Sequence, residues 1–221
     1  CGTAAHGDGW DYLRRSIAGY SRHPNIAGTL LLGLGCEINQ LDGMVADLGL
    51  IPGEMLHTMT IQGEGGTNAT VRRGIECIEA MLPAANNVKR ETVPASHIIL
   101  GMECGGSDAF SGVTANPALG AAADLLVRHG GTAILGETPE IYGAEHLLIR
   151  RAESEAVGRK LLERIAWWED YTKMNGAVVD NNPSPGNKAG GLTTILEKSL
   201  GAAAKGGTSN LVAVYRYAET V

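Results

Sequence analysis

Phenylalanine occurs once, at Phe110, and aromatic residues make up only 5% of the chain. Long apolar runs are missing too. None reaches the roughly 18 residues that a membrane helix requires, so no membrane span is expected. No secretory leader is visible. The net charge is −6 with no basic stripe, which argues against nucleic acid as a partner. There are four cysteines and no Cys-x-x-Cys pair, which sets aside zinc-finger and ferredoxin templates. So low a thiol density in 221 residues predicts reduced cysteines and a cytoplasmic location rather than a disulfide scaffold. Gly65-Gly66-Thr67 and Gly206-Gly207-Thr208 lack the spacing and the lysine of a phosphate-binding loop, so no nucleotide site is expected. There is no internal repeat and no long low-complexity tract.

Glycine is in excess instead, at 31 residues, about twice the usual share. The length allows a real core and one or two domains. Because the sequence opens on Cys1 and closes just after a strand-like run, it reads as a piece of a longer protein. Trp10, Leu13, Ile17 and Tyr20 predict a helix over residues 8–20, stopped by His23-Pro24-Asn25. Residues 28–35 read as a buried strand, 38–48 as a helix and 57–62 as a strand. Thr67 or Asn68 is placed to cap a helix whose apolar stripe is Val71, Ile75, Ile78 and Leu82, ended by Pro83. Residues 84–95 are polar, as a linker would be. Strands are predicted over 98–102, 132–135 and 211–215, helices over 117–129 and 192–204, and one or two helices over 145–171 with a break near 153–158. This alternation predicts the α/β class: a mostly parallel, Rossmann-like sheet with helices on both faces, divisible into two subdomains.

Cysteine sits where that architecture puts chemistry. Cys36 and Cys104 each close a strand-like run that ends in glycine, and ligands bind at the carboxyl ends of strands in open α/β sheets. Cys36 is followed by Glu37, and Cys104 opens Cys-Gly-Gly-Ser-Asp, which gathers a thiol, Ser107 and the carboxylate of Asp108 within five positions. Cys77 lies inside a helical stripe and reads as structural. The loop Asn181-Asn-Pro-Ser-Pro-Gly-Asn-Lys-Ala-Gly-Gly191 puts Lys188 and its glycines at the start of a helix, where free N–H groups and the helix dipole attract carboxylates. Glu137 follows the strand ending at Leu135, and His146 is a candidate acid–base group. Of the tandem Trp167-Trp168, one is expected to pack and the other to meet a partner domain.

Gly33-Leu-Gly-Cys-Glu37, Glu103-Cys-Gly-Gly-Ser-Asp108, Thr114-Ala-Asn-Pro117, Gly143-Ala-Glu-His146 and Asn182-Pro-Ser-Pro-Gly-Asn-Lys-Ala-Gly-Gly-Leu-Thr-Thr194 resemble the galactarate/altronate dehydratase family. The resemblance runs along nearly the whole chain and leans toward the galactarate branch at residues 130–142 and 167–171. It implies a cytoplasmic hydro-lyase of sugar-acid breakdown that makes a 3-deoxy-2-keto acid. It also implies an iron requirement, as Fe2+ or an iron–sulfur cluster, further domains and a homo-oligomer. Residues 1–90 would be part of the family's second domain and 91–221 the first part of its C-terminal domain; the piece alone can lack activity. Altronate dehydratase and sulfolactate sulfo-lyase are the neighbouring activities.

On this reading Cys1, Cys36 and Cys104, with Glu37, hold iron. Asp108 or His146 acts as base. Lys188, Asn187 and Ser184 bind a substrate carboxylate, with Ser107, Asn182 and Thr193 as further substrate contacts. Arg14, Arg15, Arg150 and Arg151 are candidates for a second carboxylate, which would separate galactarate from altronate. A module that binds a sugar acid without turning it over is the alternative from another class. A thiol hydrolase fits less well, because no histidine is placed in sequence to activate Cys104.

Overall fold

The structure, a computed structural model, describes residues 4–216. The chain separates into two compact units, and the break falls between Glu91 and Thr92. In the first unit the order is α1 (Asp8–Ser21), β1 (Thr29–Gly33), α2 (Leu41–Asp47), β2 (Leu56–Thr60) and α3 (Thr67–Asn86). β1 and β2 pair in parallel, with Leu30 opposite His57 and Gly33 opposite Thr60. Met44, Leu50, Met59, Cys77 and Met81 are buried around this pair. α3 passes close to β1: a Cβ on Gly74 would stand 3.4 Å from the Leu30 side chain.

α3 departs from its expected form in two ways. Its buried face is Thr70, Gly74, Cys77 and Met81, because these smaller or flexible residues let the helix approach β1. The branched stripe instead points outward, with Val71 at 55% and Leu82 at 47% exposure. Pro83 lies inside the helix rather than ending it; its fixed φ is helical, but it lacks the N–H for an i→i−4 bond and its ring crowds the carbonyl four residues back. The capping position is Gly66, not Thr67 or Asn68.

The second unit runs through a 3-10 turn (Ala95–His97), β3 (Ile99–Met102), α4 (Ala115–Arg128), β4 (Thr132–Leu135) and a 3-10 turn (Thr138–Ile141). It continues with α5 (Glu145–Ile149), α6 (Glu155–Met174), a 3-10 turn (Val179–Asn181), α7 (Pro185–Ala189) and α8 (Ile195–Ala204). β3 and β4 are parallel, with Ile99 opposite Thr132. Ile141, Ala144, Leu148, Leu161, Ile165, Ala202 and Ala203 form the core. α4 and α8 meet through glycine: a Cβ on Gly120 would come 2.2 Å from the Ala204 carbonyl oxygen.

The sheet among the described residues is therefore two separate two-stranded parallel pairs among helices, an arrangement compatible with the α/β class. The expected strand over 211–215 makes only one parallel bridge, Leu211 to Ala152; Leu211 and Val214 pack on the core instead. The helical stretch expected over 145–171 is two helices, α5 and α6, separated where a break near 153–158 was expected, and Ser154 caps the second by accepting the Val157 N–H. Among the described residues no helix is long and apolar enough to cross a membrane.

Candidate functional site

Parallel strands that pair end at the same edge, so β3 and β4 deliver Glu103-Cys104 and Gly136-Glu137 together. The ladder runs one residue past β4, with the Gly136 N–H donating to the Met102 carbonyl at 3.1 Å. Glu137 then takes a left-handed conformation, φ 56°, and its carboxylate accepts the Cys104 N–H. Gly136 lies beneath Glu103, whose carboxylate would be 2.2 Å from a Cβ there. Cys104 is half-buried, and its Sγ lies 2.8 Å from Ser107 Oγ. Asp108 Oδ1 accepts the N–H groups of Phe110 at 3.0 Å and Ser111 at 2.7 Å. That turn fixes the carboxylate and leaves Oδ2 without a hydrogen bond among the described residues.

The proline-bracketed loop meets this edge. Ser184 and Asn187 form a reciprocal cap at the start of α7, each accepting the other's backbone N–H. Asn187 Nδ2 donates to the Ser107 carbonyl at 2.8 Å, and the Ala109 N–H donates to the Gly190 carbonyl at 3.0 Å. Lys188 is exposed in the last turn of the five-residue α7, not at the start of the following helix. The sequence suggested a helix start because Lys188 and the glycines precede a long apolar run; α8 begins only after Thr194, whose side chain accepts the Glu197 N–H. Thr193 gives its N–H and its hydroxyl to Glu197 at 2.8 and 2.7 Å. Those two bonds, the hydroxyl's first, hold the Glu197 carboxyl below its ordinary range.

Beneath the loop lies a buried lysine that the motifs did not single out. Lys198 is 7% exposed. Its Nζ donates to Asn182 Oδ1 at 2.5 Å, Glu140 Oε1 at 3.2 Å and Asn187 Oδ1 at 3.2 Å. Glu140 Oε2 is 3.0 Å from Nζ, a charge contact without hydrogen-bond alignment. Asn182 Nδ2 closes the group by donating to Glu140 Oε1 at 2.7 Å. A lysine on the face of α8 shared by Ile195, Ser199 and Ala202 is the signal from which it can be found.

In the second unit, His146 and Arg151 share no hydrogen bond with this group among the described residues. His146 is exposed at the start of α5, and no described residue orients its ring. Arg151 donates to the carbonyls of Gly206 at 3.0 Å and Ser209 at 2.6 Å, and burial lowers its pKa. Arg14 pairs with Asp47 at 3.0 Å and lies over Trp10. In the first unit Cys36 is exposed, three residues beyond β1. Glu37 folds back, accepting the N–H of Leu34 at 2.8 Å and of Gly35 at 2.5 Å. Its own backbone N–H, then that of Gly35, holds its carboxyl below the ordinary value. Cys1 lies outside the described residues.

Among the described residues no three His, Cys, Asp or Glu side chains are grouped as a metal site. The donor chemistry still sorts the iron candidates. Among the described residues the Cys104 sulfur has only a hydroxyl as partner, and Cys36 is exposed; soft thiolates of this kind suit iron. Glu37 fits poorly, because both its oxygens are bound to backbone amides.

An α/β chain whose second unit gathers a thiol, hydroxyls and a carboxylate at one strand edge has the makings of a small-molecule site. Comparison with known proteins makes that class specific. Residues 95–221 match the family model described as D-galactarate/Altronate dehydratase, C-terminal. Residues 1–86 match the model described as D-galactarate dehydratase/Altronate hydrolase, second domain. The chain is 45% identical over 206 residues to galactarate dehydratase (L-threo-forming) of Escherichia coli K12, covering 90% of this chain and 39% of that protein. It is 39% identical to altronate dehydratase of Bacillus subtilis 168, covering 100% of this chain and 44% of the relative. Against altronate dehydratase of Escherichia coli K12 it is 40% identical, with 99% and 43% covered. The chain belongs to the D-galactarate/altronate dehydratase family, and it spans less than half the length of these relatives.

Proposed function

We propose that the protein containing this chain is a hydro-lyase that removes water from a sugar acid, galactarate first and altronate second, to give a 3-deoxy-2-keto acid. The observation that carries this reading is the contact of Cys104 with Ser107, tied through Asn187 to the proline-bracketed loop, in a chain of this family. Residues 1–90 and 91–221 are assigned to the family's second and C-terminal domains. The sheet edges are assigned the ligand-binding role that they have in Rossmann-like folds. The remaining domains of the full-length protein and further copies of the chain are its proposed partners.

The reaction removes a proton beside a carboxylate and expels hydroxide from the next carbon. Asp108 is assigned as the base, which its fixed Oδ1 and open Oδ2 support; His146 is left as the acid for the departing hydroxide. Lys188 and the hydroxyls of Ser184 and Ser107 are assigned to the substrate carboxylate, whose negative charge grows as the proton leaves. Cys1, Cys36 and Cys104 are assigned as iron ligands. Iron, when bound, supplies a Lewis acid for the carboxylate and the leaving hydroxyl.

Full-length protein, supplied with iron under anaerobic conditions, is to be assayed side by side with galactarate, altronate and sulfolactate. The expected result is a 2-keto product from galactarate, with a lower rate or none from the others. A sugar-acid-dependent rise in melting temperature with no product from any of the three contradicts the reading and favours a binding module.

A further inference from the structure

Lys198 is an unusual residue to bury. Removing an ammonium from water costs several kcal/mol unless every part of it is partnered, and an apolar side chain of similar volume is often as stable or more so. Here the partnering is complete. A lysine has three N–H donors, and the acceptors at Nζ come from three separate segments. Glu140 stands on the turn after β4, Asn182 follows the turn Val179–Asn181, and Asn187 is in α7. The bonds continue beyond the lysine. Asn187 Oδ1 is shared between Lys198 Nζ at 3.2 Å and the Ser184 N–H at 3.0 Å. The same amide's Nδ2 reaches the Ser107 carbonyl at 2.8 Å, and Ser107 Oγ meets the Cys104 sulfur. A continuous path therefore runs from the core face of α8 to the thiol edge.

We propose that Lys198 is a positioning residue of the dehydratase site. With Glu140, Asn182 and Asn187 it forms a buried bracket that sets the proline-bracketed loop against the Cys104–Asp108 segment. Asn182 and Asn187, which the sequence suggests as substrate contacts, are the arms of this bracket. Substrate is left to Lys188, Ser184 and Ser107. The proposal deepens the dehydratase reading and rests on it for its catalytic consequence. Its structural consequence, a Cys104–Asp108 segment held from α8, stands independently.

The test uses the full-length, iron-supplied protein and three variants: Lys198→Met, Lys198→Met/Glu140→Gln and Asn187→Asp. Melting temperature, iron content, hydrogen exchange of backbone amides 104–109, and kcat and KM on the sugar acid turned over fastest are measured for each. Lys198→Met strands the Glu140 charge and lowers the melting temperature. The double variant removes both charges and recovers most of that loss. The bracket nonetheless predicts faster exchange at 104–109 and a kcat reduced by about 10- to 100-fold, with iron retained. Exchange and kcat that return together with the melting temperature overturn the proposal. Asn187→Asp keeps the one oxygen that serves both Ser184 and Lys198 but puts a carboxylate oxygen where an N–H donated to the Ser107 carbonyl. Two acceptors then face each other, so faster exchange at 104–109 and a lower kcat are expected; wild-type exchange and kcat in it also overturn the proposal. Wild-type protein that dehydrates none of the sugar acids defeats the dehydratase reading alone, and exchange at 104–109 in the variants then decides the bracket.

Discussion

Asp124 in α4 accepts the N–H and hydroxyl of both Thr208 and Ser209, at 2.7–2.9 Å. Burial pushes its carboxyl up, but the Ser209 hydroxyl and the Thr208 amide outweigh that and hold it at about 2. A folded-state pKa below the unfolded one stabilises the fold above the unfolded value, and that contribution disappears as pH falls through the folded value. Asp124 is therefore expected to contribute about 1–2 kcal/mol at neutral pH, after allowance for solvent screening. Denaturation of the wild type and Asp124→Asn across pH 7 to 2 checks this. The gap in stability should be open at pH 7 and close between roughly pH 4 and 2. A gap independent of pH would assign the effect to packing instead. Cys77 makes a contrasting residue-scale prediction. It is buried in α3 at 6% exposure, so Cys77→Ala should lower stability by about 1 kcal/mol and leave iron content unchanged.

At the scale of elements, glycine decides how closely helices pack. Alanine is preferred over glycine inside a helix by up to about 1 kcal/mol. At Gly43 in α2 nothing lies within 4 Å of an added Cβ, so Gly43→Ala should raise stability by about that amount. At Gly120 the same change meets the Ala204 carbonyl at 2.2 Å and the Gly207 backbone at 3.1 Å. Overpacking typically costs about 1–3 kcal/mol, which exceeds the propensity gain, so Gly120→Ala should lower stability. Urea denaturation of both variants checks the opposite signs; equal signs would contradict the close α4–α8 contact. The elements themselves were legible to different degrees. β1, β3 and β4 could be read because each is a short apolar run ending near glycine. The run 211–215 looked the same but makes a single bridge, Leu211 to Ala152, and Leu211 and Val214 serve the core instead. The α3 stripe misled because periodicity marks an apolar face without saying which face the nearest strand accepts.

At the scale of the whole molecule, the site motifs were readable and their connections were not. Cys104, Ser107 and the loop Asn182–Lys188 stood out as dense polar clusters beside glycine and proline. That Asn187 reaches Ser107 across 80 positions, and that a lysine in α8 holds the asparagines, depends on packing that no local pattern encodes. Reading Lys188 from its neighbours alone likewise put it at a helix start, because a short capped helix followed by a turn was not visible in composition. The proposed activity requires the thiols to act as iron ligands in the full-length protein. The most direct measurement is iron per chain, together with the dehydration rate, in anaerobically purified wild type and Cys104→Ser. The account predicts that iron and dehydration are lost together in the variant while the melting temperature stays close to that of the wild type. Iron and dehydration both retained in Cys104→Ser would contradict it.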